Sequence, residues 1–449
     1  MLTPLILRHL GPEEIALWYL FANIVALASV LDLGFTPTFV RMVAFVLGGA
    51  KNLRDLYHVQ PKHEANVVDW SVMERLYRTM GVIYVLLSVV LVLALATVGT
   101  YAVRRALLQI PNPAEGWIAW SFVVISLAFG FYGARWTAAL QGLNYVAKSN
   151  RSTALAGLLS LFGSSLYLLL KGGLCGTVIV YQALNALAVI SNRWYLLRVE
   201  GAKFAAFSGF KFDREMFSAA WPASWRSGIV VGFSTGITNL SGVIYAQLSS
   251  SSNLASFLLT TRLLSLVVTI SQAPFYSQTP LYARLRASGD TGVLAARSSR
   301  AMTVALTVLI VGILALAILG DRILEVIGAN ISLLGGPYIL AYGFVYLLER
   351  HHAMHAQIYC TTNRIPFYIP ICISGIINLG LTWCLIGKFG IWSFLIAHAV
   401  SNALINNWWN VWISLRSMPE NRRGAFWEPG FAVILGTLLL ALSALVVTL

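Results

Sequence analysis

The chain has 449 residues, of which 58% are hydrophobic and 11% are charged, and its mean hydropathy is +0.75. Soluble domains carry about 25% charged residues, so this composition excludes a soluble globular protein. A formal net charge of +14 would suggest nucleic-acid binding in a soluble chain, but the positions of the charges give a different explanation here.

Apolar runs long enough to cross a bilayer, about 17–25 residues, recur along the whole chain. Residues 1–10 resemble the end of one more span, so we expect twelve to thirteen transmembrane helices and a truncated first helix. The predicted fold class is an all-α polytopic membrane protein. The twelve predicted spans are 14–38, 79–100, 117–140, 152–170, 174–196, 219–247, 253–280, 301–320, 333–358, 366–387, 391–414 and 429–448.

Lysine and arginine alternate in density between successive loops. One set of loops holds 21 of these residues, and the alternate set holds only six. Because cytoplasmic loops carry the excess of basic residues, the first set is predicted to be cytoplasmic. The net charge then follows from membrane topology, and no nucleic-acid partner is expected. The basic loops are 41–78, 144–151, 193–214, 281–300, residue 364 and 415–423.

The chain shows signs of an internal duplication at a steady offset. Asn144 falls opposite Asn363, and Asn185 falls opposite Asn402, offsets of 219 and 217 residues. Six spans in each half would give parallel repeats around a central cavity, a transporter design in which the substrate binds between the halves. The predicted domains are an N-terminal bundle 1–196, a cytoplasmic linker 197–217, a C-terminal bundle 218–414, and a loop with an appended helix 415–449.

Asp32 is the one carboxylate well inside the first half. Gly34 and Pro37 follow it closely, which predicts a broken or bent helix beside the charge. Two roles stay open for Asp32, a structural ion pair with an arginine or the binding of a coupling cation.

Four arginines lie within the predicted spans and outside the basic loops, and a charge inside a span is costly and usually functional. Arg135 and Arg226 lie close enough to a span end to extend toward water, so a cavity role and a snorkelling role both stay open. Arg262 lies roughly 13 Å into its span at 1.5 Å per residue, which favours a cavity-facing position. Together with Arg350 they predict a cationic cavity for an anionic, phosphate-bearing substrate.

The stretch "FVYLLERHHAMHAQIYC" places a charge pair and three histidines in one apolar helix. Glu349, Arg350, His351, His352 and His355 spread around most of the helix, so it cannot face lipid. Four interpretations remain: zinc binding by His351 and His355, which lack a third ligand; proton coupling by His352 and His355; a basic lining in which Glu349 restrains Arg350; or an ordinary polar helix end. We predict no metal site, catalytic residue or cofactor, apart from coupling to H⁺ or Na⁺.

The N-terminal segment "LGPEEIALWYLFANIVALASVLDLGFTPTFVRMVAF" resembles the start of polysaccharide-transport flippases. These are the O-antigen (Wzx-type) members of the multidrug/oligosaccharidyl-lipid/polysaccharide exporter superfamily. The matching residues are Leu10-Gly11-Pro12-Glu13-Glu14, Trp18, Asp32-Leu33-Gly34 and Arg41. The resemblance is sharp over about the first 45 residues.

The resemblance implies a MATE-like arrangement of two six-helix bundles around a central cationic cavity, with cation-coupled antiport. It also implies a location in the bacterial cytoplasmic membrane. The implied substrate is an undecaprenyl-pyrophosphate-linked glycan moved between leaflets, with membrane lipid and the polysaccharide polymerase machinery as further partners.

Two other function classes are considered beside the flippase. A cation-coupled drug exporter of the same fold predicts carboxylates in the C-terminal half, where Glu349 is the good candidate. A membrane enzyme such as a sugar polymerase generally needs a large outer loop with catalytic acids, and the longest outer loop here offers only Glu115.

Overall fold

The computed structural model describes residues 2–48, 68–207, 209–362 and 367–448. Every regular element within these ranges is helical, which confirms the predicted all-α class. Asn363, the predicted counterpart of Asn144, lies outside the described residues. The chain forms two compact units, Met1–Ser252 (unit 1) and Asn253–Leu449 (unit 2).

Unit 1 contains eleven α-helices. The helices that are long and apolar enough to span a bilayer lie between Pro12 and Leu196. The helices are α1 Leu2–His9, α2 Pro12–Ala28, α3 Phe35–Leu47, α4 Trp70–Ala94, α5 Thr100–Leu107, α6 Pro113–Gly142, α7 Val146–Leu169, α8 Leu174–Leu196, α9 Lys203–Ala206, α10 Arg214–Val231 and α11 Ile237–Leu248.

Unit 2 begins within α12 and continues to the C-terminus. Its longest helix, α14, has 37 residues. The helices are α12 Ser251–Tyr276, α13 Thr279–Ala287, α14 Thr291–Ile327, α15 Gly336–Cys360, α16 Tyr368–Phe389, α17 Trp392–Ser401, α18 Asn407–Arg416, α19 Glu420–Arg423 and α20 Trp427–Thr448.

Each of the twelve predicted spans falls on a helix or on consecutive helices. In the described part of the chain, nine of these pass a test of length and mean hydropathy for crossing a membrane. The three that do not are α10–α11, α15 and α17–α18. Of these three, α15 carries Glu349, Arg350 and three histidines, and π-helical turns interrupt α10–α11 and α17–α18.

The division into units falls after Ser252, later than the predicted linker at 197–217. The linker belongs to unit 1 and packs against α4 through buried Phe204, whose ring centroid lies 5.2 Å from that of Tyr77. Lys203 Nζ lies 3.7 Å from the centroid of the Trp70 ring. The boundaries of the two sequence repeats, 1–196 and 218–414, remain a prediction.

Candidate functional site

The eight residues predicted to bind substrate or couple ions divide between the units. Arg262 and Arg226 are exposed on α12 and α10. The other six are buried or half-buried. Unit 1 holds Asp32, Arg135 and Arg226, and unit 2 holds Arg262, Glu349, Arg350, His352 and His355.

α15 presents three of the predicted residues on one face. Glu349, His352 and His355 are three residues apart, the spacing at which helical side chains become neighbours. Each of them contacts a polar residue of α17 or α18. We call the pairs Glu349–His398, His352–Asn410 and His355–Ser414 the polar ladder.

The first pair of the ladder also contacts an arginine. Glu349 Oε2 accepts a hydrogen bond from His398 Nε2 at 2.8 Å, and its Oε1 forms an ion pair with Arg350. Arg350 Nη1 donates to Gln272 Oε1 on α12 at 2.9 Å. The predicted contact between Glu349 and Arg350 is therefore present. Their side chains are only 20% and 19% exposed, so removing either partner would leave a poorly solvated charge.

The other two pairs continue along the same face. The Asn410 amide nitrogen lies 3.0 Å from His352 Nδ1, and Ser414 Oγ lies 3.2 Å from His355 Nδ1. The His351 and His355 rings are 4.8 Å apart in an edge-to-face arrangement. Among the described residues, no third His, Cys, Asp or Glu joins them in a group that could hold a metal ion.

The residues that face α15 in the polar ladder belong to a polar stripe that runs from α17 to α18, in which a polar residue recurs at every fourth position. A stripe at this spacing drifts around a regular α-helix, because one turn holds 3.6 residues. A wider π-helical turn at Asn402–Asn406 joins α17 to α18, and such turns often mark functional positions. Because a π-helical turn holds more residues than an α-helical turn, it brings the stripe part of the way back to the same face. The stripe consists of His398, Asn402, Asn406, Asn410 and Ser414.

Several buried polar atoms along the ladder have no hydrogen-bond partner within the described residues. They include Arg350 Nε and His352 Nε2 on α15, and the side-chain carbonyl oxygens of Asn406, Asn407 and Asn410. A buried donor or acceptor without a partner costs about 1–3 kcal/mol. These atoms provide donors and acceptors that ordered water can satisfy.

Sequence reasoning missed the α17–α18 side of this ladder. His398 is 49 positions from Glu349, and Asn410 is 58 positions from His352. The signal that could have found them is the four-residue polar repeat, which lies inside an apolar segment that we predicted only as a span.

Asp32 lies at the predicted break between α2 and α3. A 3₁₀ turn covers Ser29–Asp32, and Leu33 and Gly34 adopt left-handed φ angles of 49° and 72°. The predicted interruption is therefore confirmed. A methyl group on Gly34 would lie 2.5 Å from Ser227 Cβ of α10, so the break also depends on a close helix approach.

The Asp32 carboxylate caps the start of α3. It accepts hydrogen bonds from Thr36 N at 3.0 Å and Thr36 Oγ1 at 2.7 Å, and Thr36 Oγ1 lies 2.8 Å from Tyr84 Oη. In the described part of the chain, no arginine pairs with Asp32. The ion-pair alternative is thus not seen, and the coupling role remains a prediction.

Arg135 lies among aromatic rings rather than carboxylates. Its guanidinium carbon is 4.1 Å from the Tyr132 ring centroid and 5.0 Å from that of Trp136. Arg193 of α8 lies 5.6 Å from the same Trp136 ring. Two cavities, of about 280 and 300 Å³, share these four lining residues. We call Tyr132, Arg135, Trp136 and Arg193 the arginine pocket.

Solved structures with a similar fold include membrane transporters and a flippase. The lipid II flippase MurJ in an inward closed conformation has a TM-score of 0.65 at 12% identity, covering 97% of this chain and 94% of that one. An inward-facing multidrug resistance MATE family transporter of the MOP superfamily has a TM-score of 0.61 at 12% identity, covering 99% and 93%.

A third similar structure is the MATE multidrug transporter DinF-BH. Its TM-score is 0.56 at 13% identity, and the match covers 95% of this chain and 91% of that one. This chain is similar in fold to these two transporters and to the MurJ flippase. No protein-family model and no curated protein matches its sequence. The predicted all-α, MATE-like fold is confirmed.

Proposed function

We propose that the protein is a flippase for a polyprenyl-pyrophosphate-linked oligosaccharide in the bacterial cytoplasmic membrane. The observation that carries this proposal is an excess of unpaired arginine. Within the described residues, no ion pair includes Arg135, Arg226 or Arg262. Arginine binds phosphate oxygens through two parallel hydrogen bonds, so Arg226 and Arg262, which are also exposed, suit a pyrophosphate head.

The resemblance of the N-terminal segment to polysaccharide-transport flippases gives independent support. So does the fold, since one of the similar structures is a lipid II flippase. We assign the glycan substrate of this chain to the O-antigen or exopolysaccharide class, moved by alternating access, and no enzymatic step is proposed. The polymerase that extends the glycan is the expected partner.

Cation coupling is the second part of the proposal. The polar ladder supplies a carboxylate that contacts both a histidine and an arginine. Transfer of a proton to Glu349 or His398 would change the balance of this cluster. Exchange of H⁺ or Na⁺ with the ladder, and with Asp32 in unit 1, is the route by which we expect a gradient to drive export.

Complementation tests the proposed substrate. The chain is expressed in a bacterium that lacks its own O-unit flippase, and surface polysaccharide and trapped lipid-linked units are measured. We expect restored polymer and less trapped intermediate. Arg262→Ala should lower export at least tenfold, which corresponds to about 1.4 kcal/mol, with membrane insertion unchanged.

Arg322→Ala is the matched control, because Arg322 is exposed on α14 near a predicted outer loop. Normal export in Arg262→Ala cells would remove Arg262 from the proposed site. Failure of the unmodified chain to restore polymer, with stable expression and several donor O-units, would count against the substrate class.

A drug exporter of the same fold is the second candidate. The observation that favours it is the largely buried Glu349–His398 pair, since a carboxylate in unit 2 suits a cationic substrate. This function predicts that cells expressing the chain tolerate cationic dyes at higher concentrations. Glu349→Gln would remove that tolerance, whereas Arg262→Ala would leave it intact.

A further inference from the structure

The arginine pocket lies where two parallel helices are held unusually close. A methyl group on Gly133 of α6 would lie 2.1 Å from Val189 Cγ1 of α8, so only glycine permits this approach. One turn further on, Asn192 Nδ2 donates to Thr137 Oγ1 at 3.0 Å. These contacts hold α6 and α8 in a register that brings Arg135 of α6 and Arg193 of α8 to the same Trp136 ring.

Neither of the two arginines forms an ion pair in the described part of the chain. Arg135 Nε is also buried there without a hydrogen-bond partner. Arg135 Nη2 donates to Tyr132 Oη, and the other neighbours are ring faces. Cation–π contacts attract the guanidinium but leave its positive charge in place. Two guanidiniums around one indole therefore favour an anion that both can contact.

The first cavity provides room for that anion. It is lined by Arg135 and Arg193 together with Tyr77, Phe204, Phe207 and Phe210. Gly81 of α4 leaves the space in which Arg135 Nη1 and the Phe210 ring lie, since a methyl group there would be 3.0 Å from both. A volume of about 280 Å³ accommodates a phosphate with its ester substituents.

The second cavity is apolar beyond the arginines. Phe129 and Ile190 line it and are 36% and 52% exposed. The exposed apolar surface continues away from the arginines through Ile125 on α6 and Leu187 on α8, which are 66% and 37% exposed. On both helices, an apolar stripe that would face hydrocarbon thus ends at an arginine. Arg135 is seven residues, roughly 10 Å, before the end of α6.

We infer that the arginine pocket binds the phosphate headgroup of an anionic bilayer phospholipid, with one acyl chain along the groove between α6 and α8. The two guanidiniums contact the phosphodiester oxygens, and the linker aromatics cover the headgroup. Charge complementarity selects a headgroup with net negative charge. The apolar stripes favour a lipid over a soluble phosphate.

Native mass spectrometry of the purified full chain tests this inference. The probes are phosphatidylglycerol, diacylglycerol and undecaprenyl phosphate. We expect one retained equivalent of phosphatidylglycerol and no retention of diacylglycerol. Arg135→Gln combined with Arg193→Gln should weaken phosphatidylglycerol binding at least tenfold. Arg198→Gln is the matched control, because Arg198 stacks on Trp194 at 3.9 Å but lines neither cavity.

Equal retention in the double variant and the wild type would overturn the inference. So would displacement of phosphatidylglycerol by undecaprenyl phosphate at a tenfold lower concentration, which would assign the pocket to the lipid carrier. Displacement by millimolar inorganic pyrophosphate, with no effect of Ile190→Ser, would show a soluble-anion site instead.

A second measurement does not depend on folding of the arginine variants. A benzoylphenylalanine photocrosslinker at Phe129 should form an adduct with phosphatidylglycerol in nanodiscs, and the same crosslinker at Trp383, which is 84% exposed on α16, should give at least fivefold less. Equal yields would overturn a specific site. Both measurements use isolated protein, so they can succeed or fail independently of glycan export.

Discussion

Arg350 in unit 2 and Arg135 in unit 1 both place a guanidinium within a helical span, but their charges are balanced differently. Arg350 pairs with Glu349 and donates to Gln272. Arg135 has ring faces, one tyrosine hydroxyl and a second arginine nearby. A charge paired within the fold has little attraction left for an external anion, whereas a charge that faces only π faces retains that attraction. Burial alone therefore does not distinguish a structural arginine from a binding arginine.

The largest effect is expected from breaking the balanced pair. Glu349→Ala leaves Arg350 and His398 without their carboxylate, and removing one partner of a buried ion pair costs about 3–5 kcal/mol. We expect a clearly lower midpoint in thermal unfolding of the purified chain in detergent.

The double variant Glu349→Met/Arg350→Met is the control for this experiment. Because replacing both members of a buried pair by apolar side chains is often close to neutral, most of the lost stability should return. An unchanged midpoint in Glu349→Ala would show that the charge of Arg350 is balanced elsewhere, and the contrast with Arg135 would disappear.

An intermediate effect is expected from separating the helices that form the arginine pocket. Gly133→Ala places a methyl group against Val189, and such overpacking typically costs about 1–3 kcal/mol. We expect lower thermal stability and weaker phosphatidylglycerol retention together.

Gly130→Ala is a close control on the same helix, since a methyl group there meets no atom within 4 Å. Val189→Ala should rescue Gly133→Ala by restoring room. Lipid retention that is unaffected by Gly133→Ala would mean that the spacing of α6 and α8 does not set the distance between the two arginines.

A smaller effect is expected at the far end of the polar ladder. Ser414→Ala removes the hydroxyl that lies 3.2 Å from His355 Nδ1, and an unsatisfied buried group costs about 1–3 kcal/mol. Thermal unfolding should show a loss near the lower value. Ser265→Ala, which removes only a bond to the backbone of its own helix, should change the midpoint little. Equal losses would argue against a ladder acting as a connected unit.

The sequence alone predicts the α15 residues of the polar ladder and Arg135 of the arginine pocket, but not the residues that face them. Glu349 and Arg350 are adjacent in the chain and stand out in an apolar helix, so their pairing follows from local sequence. His398, Asn410 and Arg193 meet their partners only through the packing of separate helices. That packing depends on close approaches such as Gly133 to Val189, which no local pattern encodes. The predicted span 174–196 and the predicted basic loop 193–214 both contain Arg193, and the structure places it in the last turn of α8.

Arg75 is a third case for comparison, because it is both paired with carboxylates and exposed to solvent. We expect breaking its ion pair to have the smallest effect on stability. Its side chain is 47% exposed, and it contacts Asp213 at 2.7 Å and Glu215 at 2.8 Å. The hydrogen bond from Arg75 holds the pKa of the Asp213 carboxyl below its ordinary range. A carboxyl with a lowered pKa stabilises the fold above its unfolded-state pKa, near pH 4, and this contribution is lost as the pH falls through the lower folded-state value.

Asp213→Asn should therefore reduce stability by under about 1 kcal/mol at neutral pH, because exposed pairs are weak. The difference from the wild type should shrink below about pH 4. Thermal unfolding at pH 7 and at pH 3 measures both quantities, with Asp290→Asn as a control, because Asp290 lies before α14 and forms no ion pair among the described residues. If Asp213→Asn lowered the stability at pH 7 as much as Glu349→Ala does, an exposed ion pair would contribute as much as a buried one. Solvent exposure would then not predict which arginine pairs of this chain matter for stability.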